Sequence, residues 1–260
     1  MPLELYRKLL KETCKWIHTI QFFFQGEPLL NPHLPEMIHE ARKRHIYTIV
    51  STNAQSLTPS LAHELIASGL NRIIVSVDGL TEESYAAYRK GGSLQRALDG
   101  LKYLREAKTE LRQRTIIELQ CLLLKSNEHE WNLFRRNYKK LGADRLTFKT
   151  AQFYDYADGN PLMPSDSRHS RYVLGADGKY HPRNRLHPHK SICRRLMTGC
   201  VINANGDVLP CCFDKNGQHT WGNIATQSLK DCWQSNAAEQ FRETVFSGSY
   251  PFPICQNCTE

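Results

Sequence analysis

The sequence predicts an α/β protein, a partial (β/α) TIM-like barrel followed by a small cysteine-bearing hairpin and helix domain. Three observations carry this expectation. Apolar, strand-like runs alternate with amphipathic helical stretches through about residue 150. The strand-like runs begin near residues 17, 46, 71, 115 and 145, broadly the roughly 30-residue recurrence of a βα unit. Beyond residue 190 the texture changes to turn-rich, cysteine-rich sequence. Parallel strands covered by outer helices are the packing that such an alternation favours.

Taken in order, Leu3, Tyr6, Leu9 and Leu10 have helical spacing, which predicts a helix over 2–15. The run IHTIQFFF (17–24) then reads as a buried strand. Helix 33–44 leads to strand 46–51, helix 58–68 to strand 71–78, and helices near 81–88 and 93–108 to strand 115–123. A helix over 128–140 and a strand over 145–149 complete the alternation. Residues 151–190 hold tyrosines, prolines and turn dipeptides without a sustained period, and read as an irregular linker. From Ser191, VINANGDVLPCC predicts a hairpin turning at Asn205-Gly206. SLKDCWQSNAAEQFRETVFSG predicts a helix, and the chain closes on CQNC. The expected domains are therefore 1–150, 151–190 and 191–260.

Composition narrows the function classes. The chain has 260 residues, 40% of them hydrophobic, enough for one large α/β domain and an appendage. No stretch approaches the roughly 18 apolar residues of a membrane span, and MPLELYRKLLKE lacks the apolar core of a secretory signal. The expectation is a cytoplasmic protein without membrane contact. Nine cysteines, odd in number and including the vicinal pair Cys211-Cys212, point away from a disulfide framework and toward metal ligation. In that setting the sequon at Asn257 has no meaning. The formal charge is +8, but the basic residues are scattered along helix faces such as ARKRH and FRRNYKK. A dedicated nucleic-acid reader would gather them with aromatics; a loosely anionic substrate is compatible.

Several residues carry chemistry. A strand that ends in Gly26-Glu27-Pro28 sets a carboxylate at the rim of the sheet, where parallel α/β folds keep their ligands. Asn53 in STNA, and Ser76 with Asp78 in SVDG, follow at the ends of the next strands and can reach the same rim; helix caps or Asx turns are the plainer role for Asn53 and Asp78. Gln120 and Arg89 occupy further positions of interest. Cys193, Cys211, Cys255 and Cys258 form a set with 17 residues between the first two and 2 between the last two. Such a set suits either tetrahedral zinc or a [4Fe–4S] cluster, both of which need soft, charged sulfur. Cys200, Cys212 and Cys232 compete for these places, and Cys14 stands alone in a helix. His181, His187 and His189 in a His-Pro loop read as an extended segment more readily than as a metal site. Tyr154, Asp155 and Tyr156, just past the last strand, are substrate-facing candidates by position alone.

The order GEPLLNP, STNA, VSVDG, CRRLMTGC, NGDVLPCC, GNI and CQNC resembles the radical S-adenosylmethionine (radical SAM) enzymes, in the subgroup with a C-terminal SPASM or twitch extension. The resemblance covers nearly the whole chain. It implies that Gly26, Glu27 and Pro28 receive the amino group of S-adenosyl-L-methionine, an ammonium that a carboxylate suits, and that Asn53, Ser76, Asp78 and Gln120 face cofactor or substrate. It implies an auxiliary [4Fe–4S] cluster on Cys193, Cys211, Cys255 and Cys258. Cys211 is preferred to Cys212 because it stands in the family's G-x4-C step after Gly206, and neighbours on a strand face opposite ways. The implied activity is that of an oxidoreductase or modifying enzyme: reductive cleavage of S-adenosylmethionine and hydrogen abstraction, through a 5′-deoxyadenosyl radical, from a small-molecule or peptide substrate. Electrons would come from a protein such as flavodoxin or ferredoxin. The family's C-x3-C-x2-C motif for the reducing [4Fe–4S] cluster does not occur in this sequence. The expectation is therefore a chain lacking its first strand and cluster loop, with Met1 internal to a longer parent that holds that cluster, and with weak binding of S-adenosylmethionine. The alternatives are a non-catalytic iron–sulfur or zinc-binding relative and a zinc-stabilised nucleic-acid binder.

Overall fold

A computed structural model describes residues 1–183, 193–248 and 252–258. Packing divides the chain into two compact units, one of residues 17–180 and one in which residues 1–16 join 181–260.

The larger unit is an α/β layer, the wall of a partial (β/α) barrel. Five parallel strands lie in chain order, β1 (Thr19–Gln21), β2 (Tyr47–Thr52), β3 (Arg72–Ser76), β4 (Ile116–Leu123) and β5 (Arg145–Thr150). Helices α2 (Leu34–Lys43), α3 (Pro59–Ala67), α4 (Glu82–Tyr88), α5 (Leu94–Glu110) and α6 (Trp131–Asn137) connect them. Alternate residues of the strands, among them Val50, Ile73, Val75, Ile117 and Leu119, pack with Leu65, Ile66, Leu101 and Phe134 of the helices into one core. The period of two sends the intervening side chains, including Ser76 and Gln120, to the other face. Those two are register partners across β3 and β4.

The strand expected over 17–24 is shorter and less buried than its sequence implies. β1 spans three residues with an exposed, half-buried, exposed pattern, because it is the edge of the sheet and pairs only with β2. Apolar character there reflects packing of Phe22 on the helix-facing core. The helix expected over 128–140 is split into a 3-10 turn, Lys125–Glu130, and α6. Within 151–182, expected to be irregular, the chain builds order of its own: strand β6 (Tyr172–Leu174) is joined to β7 (Tyr180–Pro182) in a two-stranded sheet. Leu124, Ala151, Phe153, Met163 and Tyr172 form a small apolar cluster beneath it.

The smaller unit is held by helix α1 (Leu3–Thr13), α7 (Arg194–Thr198), a three-stranded antiparallel sheet of β8 (Val201–Ile202), β9 (Asp207–Leu209) and β10 (Gly222–Asn223), and helices α8 (Leu229–Trp233), α9 (Asn236–Phe246) and α10 (Pro253–Gln256). The turn between β8 and β9 sits at Asn205-Gly206, with Gly206 at φ +96, where an L side chain is strained. The single helix expected after residue 228 is broken at Gln234-Ser235, where the Ser235 hydroxyl accepts from the Ala238 amide and caps α9. Leu5 and Leu9 of α1 pack on the core formed by Val208, Trp221, Leu229 and Phe241. The Lys8 ammonium donates to the Ile224 carbonyl at 2.6 Å, and Glu12 accepts from the Leu229 amide at 3.2 Å.

Candidate functional site

Two places gather the residues singled out by the sequence. The first is the C-terminal edge of the five-stranded sheet, where the parallel order brings the loops after β1, β2 and β3 together. Gly26 takes φ +75, and a Cβ there would meet nothing within 4 Å, so the backbone at this loop is open to a ligand. Glu27 caps the 3-10 turn Pro28–Leu30, with Pro28 in its first position. The Glu27 carboxylate is fixed from three sides. Oε1 accepts from the Thr52 hydroxyl at 2.6 Å and from the Leu29 amide at 3.2 Å, and Oε2 accepts from the Asn53 amide at 2.9 Å. Oε2 accepts from the Asn53 amide and keeps a second lone pair, so the group can accept an additional charged donor without giving up its anchor.

Asn53 forms an Asx turn as well, its Oδ1 accepting from the Gln55 amide at 2.9 Å. Ser76 ends β3 and is buried. Asp78 is 1% exposed. Its Oδ2 accepts from Arg89 Nε at 2.6 Å and its Oδ1 from the Leu122 amide at 2.7 Å. The guanidinium is the more accessible partner, at 27% exposed, so the group the pair presents is the Arg89 cation, held in place by buried Asp78. Gln120 is half-buried and lies beside Ser76. Thr52 was not singled out from the sequence, although it lies next to Asn53; its hydroxyl reaches Glu27 only through the fold.

The second place is in the smaller unit. Cys193, at the start of α7, Cys211, after β9, and Cys255 and Cys258, around α10, line one pocket. Leu196, Phe213, Phe241 and Ile254 supply apolar walls. Burial pushes the Cys255 thiol up to about 12, and the neighbouring Cys211, Cys258 and Cys193 add to the effect. Burial likewise pushes Cys211 up to about 11, against hydrogen bonds from the amides of Phe213 and Asp214. Four thiolates in such walls would repel one another, and a multinuclear cation offsets both the repulsion and the desolvation. Among the described residues no group of three or more His, Cys, Asp or Glu side chains is arranged to hold a metal ion, so the four cysteines share a pocket without closing on one point. The donor set, four cysteines bordering one shared pocket, fits an iron–sulfur cluster.

The competing cysteines are elsewhere. Cys212 is outside the pocket lining and its sulfur accepts from Arg195 Nη1 at 3.4 Å. Cys200 is pushed up to about 12 by burial and by nearby Cys232. Cys121 is in the sheet core, and Cys14 follows α1. His181 belongs to β7, while His187 and His189 lie outside the described residues. No helix among the described residues is long and apolar enough to cross a membrane.

Comparison with known proteins finds two family models along the chain. Residues 1–131 match the family model of the radical SAM superfamily, and residues 193–259 match SPASM, an iron–sulfur cluster-binding domain. The chain is 26% identical over 285 residues to the mycofactocin maturase MftC of Mycolicibacterium smegmatis, covering 99% of this chain and 68% of that protein. It is 26% identical over 236 residues to the PqqA peptide cyclase of Streptomyces rochei, covering 81% of this chain and 63% of that protein. Among solved structures, anSMEcpe with bound AdoMet superposes with a TM-score of 0.69 at 16% identity, over 98% of this chain and 76% of that one. Streptococcus suis SuiB bound to S-adenosylmethionine gives 0.67 at 16% identity, over 100% of this chain and 65% of that one. At that identity the likeness is one of fold.

Proposed function

The chain belongs to the radical SAM superfamily and carries the SPASM iron–sulfur cluster-binding domain, and from that premise we propose that it is the S-adenosylmethionine-facing and auxiliary-cluster part of an enzyme that modifies an organic substrate by hydrogen abstraction. In this reading residues 1–150 form the radical SAM part and 191–260 the cluster domain. The observation that carries the proposal is the convergence of Cys193, Cys211, Cys255 and Cys258 on one pocket. These four residues would hold an auxiliary [4Fe–4S] cluster, each supplying one thiolate. Where a reducing [4Fe–4S] cluster is available, bound S-adenosylmethionine would supply reductive cleavage and hydrogen abstraction.

The chain's own residues hold and orient. Glu27, kept in place by Thr52 and the amides of Leu29 and Asn53, accepts the cofactor's ammonium on the spare lone pair of Oε2; Gly26 and Pro28 shape the loop that admits it. Asp78 fixes the Arg89 guanidinium, and Asn53, Ser76 and Gln120 offer polar groups along the same edge. A peptide is one substrate class supported by the relatives, since a similar protein is named a peptide cyclase; a small molecule is the other. The electron donor is a protein of the flavodoxin or ferredoxin kind. A second reading, a relative that binds a cluster without catalysis, is favoured by the lack of a C-x3-C-x2-C motif in this sequence, and in-frame DNA upstream of the Met1 codon decides between the two.

The test is anaerobic reconstitution with iron and sulfide. The expected product is one [4Fe–4S] cluster per chain, with a paramagnetic resonance signal that does not change when S-adenosylmethionine is added. Alanine at any of the four cysteines lowers bound iron sharply, whereas Cys14→Ala and Cys121→Ala do not. Zinc in place of iron, or full iron in a Cys211→Ala variant, overturns the assignment.

A further inference from the structure

Among the described residues that line the cysteine pocket, Arg195 is the sole charged side chain. It follows Cys193 by two residues in the short helix α7, and its Nη1 donates to the Cys212 sulfur at 3.4 Å. Cys211 lines the pocket and Cys212 does not; contrary to the expectation that they are neighbours on one strand, both lie in the turn that follows β9, closed by the Asp214 amide donating to the Cys211 carbonyl at 3.3 Å. The vicinal pair therefore divides its labour, one sulfur turned to the pocket and the other to the guanidinium at its edge.

We propose that Arg195, held against the pocket by Cys212, is a positioning residue that sets the reduction potential of the cluster on Cys193, Cys211, Cys255 and Cys258. The inference rests on the cluster reading above. A cluster ligated by four thiolates is net negative, and one-electron reduction makes it more so. A cation at its edge stabilises the reduced form more than the oxidised one; Arg195 is exposed, so solvent and salt screen part of the effect and the shift shrinks as ionic strength rises. Arginine suits the place because its charge does not titrate and its planar fork can donate to a sulfur while still facing the pocket. The step is a single electron passing from an external reductant to the oxidised cluster; no bond to the protein breaks and no proton is needed.

The experiment uses the full chain, reconstituted anaerobically, with iron and sulfide content measured first. The cluster is then titrated with dithionite in the presence of mediators and followed by paramagnetic resonance. Arg195→Met is expected to bind the wild-type amount of iron and to shift the midpoint to a more negative potential, whereas Arg195→Lys stays closer to wild type. Cys212→Ala is expected to keep its iron and shift the midpoint in the same direction by less, and Cys212→Ser, which retains an acceptor, less still. A wild-type midpoint in Arg195→Met with full iron overturns the role of Arg195 while leaving the cluster reading intact. Loss of iron in Arg195→Met makes that residue structural, and loss of iron in Cys212→Ala makes Cys212 a ligand; either result overturns the inference. Failure of the wild-type chain to take up iron removes the cluster reading and this inference with it.

Discussion

Both oxygens of the Asp78 carboxylate are engaged inside the protein, by the Arg89 guanidinium and the Leu122 amide. Truncation at this position leaves a cation and a backbone donor without an acceptor. Asp78→Ala is expected to cost about 3 kcal/mol of stability, the lower end for breaking a buried pair, and Asp78→Asn less because one acceptor survives. Urea unfolding measures both, and a loss below about 1 kcal/mol in the alanine variant would mean that Arg89 finds another partner. Gly26 makes a contrasting case. Its left-handed backbone costs an L residue roughly 1–2 kcal/mol, yet nothing fills the space around it, so Gly26→Ala should lose about that much and retain the fold. The residue types at these positions were legible from sequence, since Gly-Glu-Pro, Asn53 and Asp78 each stand at the end of an apolar run. Their partners were not: the Thr52 hydroxyl reaches Glu27 across 25 residues of sequence, and neither residue has a local pattern that names the other.

At the scale of elements, Asp144 does the most joining. It accepts from Arg105 and Lys108 of α5 at 2.7 Å each and from the Ile117 amide of β4 at 2.8 Å, tying a helix and two strands at one carboxylate. Burial would raise this carboxyl, but the hydrogen bonds from Lys108, Ile117 and Arg105 outweigh it and hold it below the usual carboxylate range. A depressed value in the folded state means that the contribution is complete above the unfolded value and fades as pH falls through the folded one. Asp144→Asn is therefore expected to destabilise by about 2 kcal/mol at neutral pH, on the scale of charged hydrogen bonds, and the gap from wild type should narrow below about pH 4. Denaturant melts across that range check both the size and the sign. Helix and strand order through residue 150 was legible because period-two and period-3.6 patterns alternate clearly there. The hairpin of β6 and β7 was not, because it rests on single contacts, such as Tyr156 stacked on Tyr172 at 4.7 Å, which leave no repeating mark in the sequence.

For the molecule as a whole, the edge strand and the ligand edge make separate predictions. β1 pairs with β2 alone and exposes a row of unpaired backbone groups, an invitation to another chain; light scattering should show association rising with concentration, and a monomer at high concentration would argue against it. In the proposed reading, S-adenosylmethionine binding by this chain would rest on Glu27 and its neighbours, with no C-x3-C-x2-C motif in this sequence to offer an open iron. Each charge-assisted bond contributes about 1.5–3 kcal/mol, so calorimetry should find a dissociation constant on the order of 1 mM or weaker. Tight binding would show that the sheet edge suffices. The packing of α1 with the cysteine-bearing unit was beyond sequence reading, since an amphipathic helix announces an apolar face and not the surface that will cover it. That packing also orders events in time. Lys8 and Ile224 are 216 residues apart, so a growing chain makes α1 long before the surface it covers exists. Until then its leucines must be shielded by other means, the loop to be closed spans the entire sheet unit, and the cysteine-bearing unit is completed only late in synthesis, a high-contact-order step of the kind that slows folding and draws on chaperones.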